Sequence, residues 1–265
     1  MTERIGAVSY LNTRPLIYGL ERELRDRKLL LDLPSRLADQ LVQNELDVAL
    51  IPSVEYLRST DWAIVSDACI ACRGPVRSVQ LLFRGPPERT RSLALDEGSR
   101  TSAALAQVLL FDEFGVRPEL RPLPIEAPLN AIAADALLVI GDRAMSIDTS
   151  QYVETWDLGQ RWNVQTGLPF VFAMWVSGSH FADQPAVLQL AEDLQASRDL
   201  GLANLDEIVT REAPQFGLTR IDCLRYFEEQ LHFHLGPREM AGLDLFQSRA
   251  MTLGLVPAKE PQESA

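Results

Sequence analysis

Four short apolar runs recur in the first 145 residues, and each meets a polar, glycine or proline turn before a helical spacing begins. The first is Ile5–Tyr10, followed by Asn12-Thr13-Arg14-Pro15. Leu16, Ile17, Leu20 and Leu24 then fall on one helix face. Pro15 suits a first helical turn, where its missing N–H is not needed. The second run, Val48–Ile51, meets Pro52-Ser53-Val54-Glu55-Tyr56. The third, Leu93–Leu95, meets Asp96-Glu97-Gly98-Ser99-Arg100-Thr101-Ser102, with Leu105, Val108 and Leu109 turned inward beyond it. The fourth, Leu137–Ile140, meets Gly141-Asp142-Arg143-Ala144-Met145.

Strands alternating with helices predict an α/β fold with largely parallel sheets covered on both faces. Ligands in such sheets collect at the carboxyl ends of strands, where all four junctions fall. Two junctions precede residue 85 and two follow it, which predicts two lobes around a central cleft. Turn residues after extended runs mark the hinges at Arg84-Gly85-Pro86-Pro87, after Val79–Phe83, and at Ser177-Gly178-Ser179, after Phe170–Val176. Lobe one is then 1–84 plus 178–265, discontinuous, and lobe two is the inserted 85–177. Beyond residue 182 the pattern is helical over Ala186–Ala196, Leu205–Glu212, Ile221–Leu235 and Glu239–Leu253, and the polar tail Pro257–Ala265 is expected to fray.

Composition narrows the partners. The net charge of −12 argues against nucleic acid and anionic membranes, which need a basic footprint, but leaves room for a locally positive pocket and a small anion. No apolar run reaches the ~18 residues of a membrane span, and the N-terminal stretch lacks the charged and apolar regions of a signal peptide, so a cytoplasmic location is expected. Three cysteines do not make a disulfide framework. Cys69-Ile70-Ala71-Cys72 ends a strand-like run rather than opening a helix, and His232-Phe233-His234 would send its imidazoles to different helix faces, so no metal site is expected.

The polar junction residues carry two readings. Free N–H groups and the helix dipole make the start at 99–102 an anion site, with hydroxyls from Ser99, Thr101 and Ser102; the same residues serve a plain N-cap. Asn12-Thr13 and Pro52-Ser53 share that ambiguity. Arg73–Gln80 is a turn whose Ser78 points toward the cleft mouth or a charged surface turn. The aromatic stretch from Trp156 to Trp175 reads as packing around the return strand, with Thr166 able to add one hydroxyl to the cleft.

Seven segments in order resemble the chorismate dehydratase family of the futalosine route to menaquinone: SYLNTRPL (9–16), DVALIPSVEY (47–56), GPVRSVQLL (74–82), DEGSRTS (96–102), LLVIGDRAM (137–145), WDLGQRW (156–162) and TGLPFVFAMW (166–175). The resemblance implies a periplasmic-binding-protein type II fold with C-terminal helices. It implies dehydration of chorismate to 3-[(1-carboxyvinyl)oxy]benzoate without a cofactor. Asn12 would stand at the family's active-site asparagine, with Ser78 and the 99–102 turn touching the ligand. Ser9, Tyr10, Thr13, Arg14, Ser53 and Thr166 complete the expected substrate-binding set, and Arg14 or Arg100 is expected at a substrate carboxylate. A sister family makes 1,4-dihydroxy-6-naphthoate and carries histidine where this chain has Gly141-Asp142-Arg143. A small-anion solute-binding protein would share the fold. Asn12 does not titrate near neutrality. The expected base is therefore the substrate's own side-chain carboxylate, with Asp142 as the alternative catalytic group.

Overall fold

The computed structural model describes residues 3–20, 28–182 and 185–258. Leu24, Lys259 and the last six residues of the tail lie outside these. Eleven strands among the described residues form two sheets, one of six strands and one of five.

The first sheet starts with β1 (Arg4–Val8), flanked in parallel by β2 (Lys28–Asp32) and β3 (Val48–Pro52). Every residue of β3 is buried, as expected for a strand covered on both faces. Helix α1 (Pro34–Val42) follows β2, and the short α2 (Ser53–Arg58) follows β3. The sheet continues through strands of opposite direction. β10 (Phe170–Ser177) lies antiparallel to β3 and to β4 (Ala63–Cys72), and β11 (His232–His234) lies antiparallel on the β4 edge.

The second sheet repeats this plan. β6 (Ser92–Asp96) runs parallel to β7 (Glu119–Leu123) and β8 (Ala136–Ile140), the last buried throughout. β5 (Val79–Phe83) pairs antiparallel with β8 and with β9 (Glu154–Asp157). Helix α3 (Arg100–Phe114), the one-turn-and-a-half α4 (Gly141–Met145) and α5 (Leu158–Thr166) attach here. The sheets are therefore mixed, not largely parallel. The strands that leave and re-enter each half run against the rest.

Sheet membership also places the crossings differently from 84 and 178. β5 already belongs to the second sheet and β10 already to the first, so the chain changes sheets between Cys72 and Val79 and between Asp157 and Phe170. Arg84-Gly85 is a turn within the second half, where the Arg84 guanidinium caps the carbonyls of Leu129 and Ala134 at 2.7 and 3.1 Å. An aromatic cluster secures the return crossing. Trp162, Phe170 and Phe246 lie within 6.2 Å of one another, and Trp162 Nε1 donates to Pro169 O at 3.0 Å.

The C-terminal region adds α6 (Pro185–Ala203), α7 (Leu205–Glu212), α8 (Arg220–Arg225) and α9 (Pro237–Thr252). The stretch Ile221–Leu235 is not one helix. It passes from α8 into a π-helical turn, Tyr226–Gln230, and then into β11, because Phe233 is buried while the strand finds the free edge of β4. Cys69 and Cys72 are buried in β4, where burial pushes both thiols up.

Candidate active site

The cavity lies between the sheets, at the carboxyl ends of β1, β3 and β8 and at the start of α3. It encloses about 490 Å³ of empty space, mouth included. Val8, Pro34, Pro52, Ile70, Val76, Val79, Ile140, Phe172 and Ala173 make its walls apolar. Five side chains with polar groups line it as well: Tyr10, Asn12, Ser78, Ser99 and Ser102, with Gly141 supplying backbone.

Three turns deliver those groups. After β1 the chain forms a 3₁₀ segment, Leu11–Ile17, with Pro15 inside it rather than at the start of an α-helix. Helix α6 lies directly against this segment at Gly201, where any Cβ would collide with the Pro15 carbonyl. Ser197 Oγ ties down its end through the Leu16 and Tyr18 carbonyls at 2.9 and 3.0 Å. Asn12 is thus carried on a rigid support, and its Oδ1 accepts from Thr13 Oγ1 at 3.3 Å.

Ser78 sits on the outgoing crossing. Arg77 takes a left-handed φ of 60°, uncommon for a residue with a side chain. Asp157 offsets that cost: its carboxylate accepts the Val76 N–H at 3.0 Å, the Arg77 N–H at 2.6 Å and Gln80 Nε2 at 3.2 Å. Asp157 also caps α5 through Gln160 N. On the opposite wall Ser99 caps α3, accepting from Ser102 N at 3.1 Å, and the two hydroxyls meet at 2.8 Å. The cap and the cavity lining are therefore the same residues.

Several expected ligand residues are placed elsewhere. Arg14 turns to Glu212, with its Nε 3.2 Å from that carboxylate. Arg100 turns to Asp39 at 2.8 Å and Glu55 at 3.6 Å. Neither lines the cavity, and no other Arg or Lys among the described residues does. Ser53 is spent on the Val171 carbonyl at 2.7 Å, and Thr101 Oγ1 accepts the Val54 N–H at 3.2 Å, joining α3 to α2 across the cleft. Thr13 is buried beside Asn12. Ser9 holds β1 to Asp32 through its backbone N–H, and its side chain is absent from the lining. Thr166 closes α5, giving its proton to Trp162 O at 2.8 Å and accepting Leu168 N–H at 3.1 Å.

Asp142 also lies outside the lining. Its Oδ1 accepts from Leu11 N at 3.3 Å, pinning the 3₁₀ segment to the second half. Burial pushes its carboxyl up to about 6, against the opposing pull of the Leu11 N–H and the Arg14 charge. Asp96, beneath Gly98, is also raised by burial. Tyr10 reaches across to Gly98, where a Cβ would come within 2.5 Å of its hydroxyl. Burial first, and then the nearby Asp96, Asp142 and Glu97 charges, raise the Tyr10 phenol, so it stays an O–H donor. The lining is thus hydroxyl and amide on hydrocarbon. It can orient an anion through neutral donors and the α3 dipole, worth about 0.3–1 kcal/mol and up to ~2 when partly buried.

The sequence profile of a family described as menaquinone biosynthesis matches residues 3–252. The chain belongs to that family. A chorismate dehydratase from Thermus thermophilus is 29% identical over 276 residues, 97% of this chain and 98% of the relative. Another, from Campylobacter jejuni, is 31% identical over 167 residues, 62% of this chain and 58% of the relative. Among solved structures, a protein from Archaeoglobus fulgidus superposes with a TM-score of 0.73 at 16% identity, covering 96% of this chain and 98% of its own. The periplasmic aliphatic sulphonate binding protein of Escherichia coli gives 0.62 at 13% identity, covering 97% and 94%. These establish the periplasmic-binding-protein-like fold for this menaquinone biosynthesis family member.

Two residues of this family member escaped the sequence reading. Asp157 had a visible signal, an aspartate directly before a helical spacing. Tyr226 had none. It is fully buried in the π-helical turn, and its hydroxyl donates to Ser78 Oγ at 2.8 Å. Among the described residues no His, Cys, Asp and Glu cluster of three or more is arranged to hold a metal, and no helix is long and apolar enough to cross a membrane.

Proposed function

We propose that this chain dehydrates chorismate to 3-[(1-carboxyvinyl)oxy]benzoate, a step of menaquinone biosynthesis, without a cofactor and in the cytoplasm. The near full-length likeness to a named chorismate dehydratase supports the reaction. The observation that carries the mechanism is the lining: Asn12 and Ser78 face Ser99 and Ser102 in an apolar cavity, and no carboxylate or imidazole is among them.

Chorismate loses the C3 proton and the C4 hydroxyl, the ring becomes aromatic, and one water leaves. Such a site supplies geometry and neutral donors rather than a base. The substrate's side-chain carboxylate takes the C3 proton, and Asn12 holds that carboxylate or a neighbouring oxygen in reach. The departing hydroxide then carries off a proton as water. The α3 start, with Ser99 and Ser102, receives a substrate carboxylate in place of an arginine. Asp142, bonded to Leu11 N, positions the Asn12 segment.

The test is incubation of purified protein with chorismate, following the aromatic enol ether. Its appearance supports the reading. Tight chorismate binding without product would instead favour a solute-binding protein. Product only from the cyclic futalosine derivative would favour the sister naphthoate synthase.

A further inference from the structure

Ser78 and Asn12 reach the cavity on segments 66 positions apart in the sequence, and a third segment lies behind Ser78. Tyr226 comes from the π-helical turn, a local irregularity that is frequent at functional sites. It does not line the cavity. Its phenol makes a buried side-chain hydrogen bond to Ser78.

The direction of this bond matters. A phenol has one proton, and here it goes to Ser78 Oγ. Ser78 accepts in this bond, which leaves its own proton for the cavity it lines. Accepting this buried bond polarises the Ser78 hydroxyl toward donation. Burial keeps the Tyr226 phenol protonated far above neutrality, so the direction of the bond persists across the working pH range.

We propose that Tyr226 is a positioning residue that makes the Ser78 hydroxyl a directed donor to a substrate oxygen on which negative charge grows during dehydration. The proposal rests on the dehydratase reading above. Tyr226 touches no substrate. It acts through Ser78.

The test is a double-mutant cycle with Tyr226→Phe, Ser78→Ala and the pair, read as kcat and KM for chorismate. Phenylalanine keeps the buried ring. Tyr226→Phe is expected to lower kcat about 10-fold or more while KM moves about 2-fold or less, the signature of a donor that counts mainly in the transition state. In the Ser78→Ala background, Tyr226→Phe is expected to change kcat less than about 2-fold, because the acceptor through which it acts is gone. An undiminished kcat for Tyr226→Phe, or a full further loss in the double variant, overturns the proposal. Should the phenylalanine variant fold poorly, 3,5-difluorotyrosine at position 226 keeps ring and hydroxyl but is more acidic. The alkaline limb of kcat then moves to lower pH, and an unmoved limb overturns the proposal. Turnover by the unaltered chain tests the dehydratase reading separately. If that fails, the same cycle is read from chorismate affinity, and additivity there sinks the Tyr226–Ser78 coupling.

Discussion

The floor and the lip of the cleft are built from different chemistry. The floor is neutral: half-buried Asn12, buried Ser78 and, behind Ser78, buried Tyr226. The lip is charged and partly exposed. Arg100 bridges Asp39 and Glu55, and Ser35 Oγ donates to the Glu97 carbonyl at 3.1 Å. Between them Thr101 Oγ1 holds the Val54 N–H in a dry contact. A buried hydrogen bond is expensive to leave half made, whereas a surface ion pair is screened and worth about 0–1 kcal/mol. The comparison implies that the floor sets the rate, and the lip only sets how readily the halves meet.

Removing the floor amide should have the largest effect. Asn12→Ala is expected to lower kcat about 10²–10³-fold with a nearly unchanged melting temperature, measured by steady-state turnover and calorimetry. Wild-type turnover in that variant would end the case for Asn12 and for the floor as the rate-setting region.

Thr101→Val tests the dry contact between floor and lip. The isosteric change leaves the buried Val54 N–H without its acceptor and is expected to cost about 1–3 kcal/mol of stability. Denaturant midpoints measure this, and a rise in KM larger than the fall in kcat would place Thr101 with the lip.

Asp142→Asn separates a base from a support. Turnover should remain measurable, since the amide oxygen still accepts from Leu11 N, and loss of all turnover with chorismate still bound would restore Asp142 as the base. The sign of its effect on stability also follows. The native carboxyl titrates near 6 against an ordinary 3.8, so the native state holds the proton more tightly. Its contribution is fully present below the unfolded value and is lost as pH rises through about 6. Unfolding curves between pH 4 and 7 should therefore show a fall in wild-type stability relative to Asp142→Asn as pH increases. A difference of the opposite sign would contradict the buried position.

The smallest effect is expected at the lip. Arg100→Gln should raise KM a few-fold at low salt, with kcat unchanged, and the difference should fade as ionic strength screens the pair. A large loss of kcat would instead return Arg100 to the substrate.

Much of the frame was legible beforehand. β3 and β8 announced themselves as unbroken apolar runs, the signal of a strand covered on both faces. The Ser99 cap was legible because capping chemistry is local. The 221–235 stretch was misread because periodicity cannot tell a buried strand edge from a helix when the run is short. The crossings were misplaced because turn residues mark where a chain bends, whereas strand pairing decides which sheet a strand joins.

By itself the sequence determined the strand-to-helix junctions, the family likeness and the residues Asn12, Ser78, Ser99 and Ser102, all of which line the cavity. Only the tertiary structure decided that Arg14 and Arg100 turn away from it, that Thr166 closes a helix, and that Tyr226 stands behind Ser78 across 148 positions of chain. The reason is physical. Local sequence fixes which face of an element is apolar and which residue caps it, while the partner of a long polar side chain is chosen by whatever acceptor the fold brings within 3–4 Å of it.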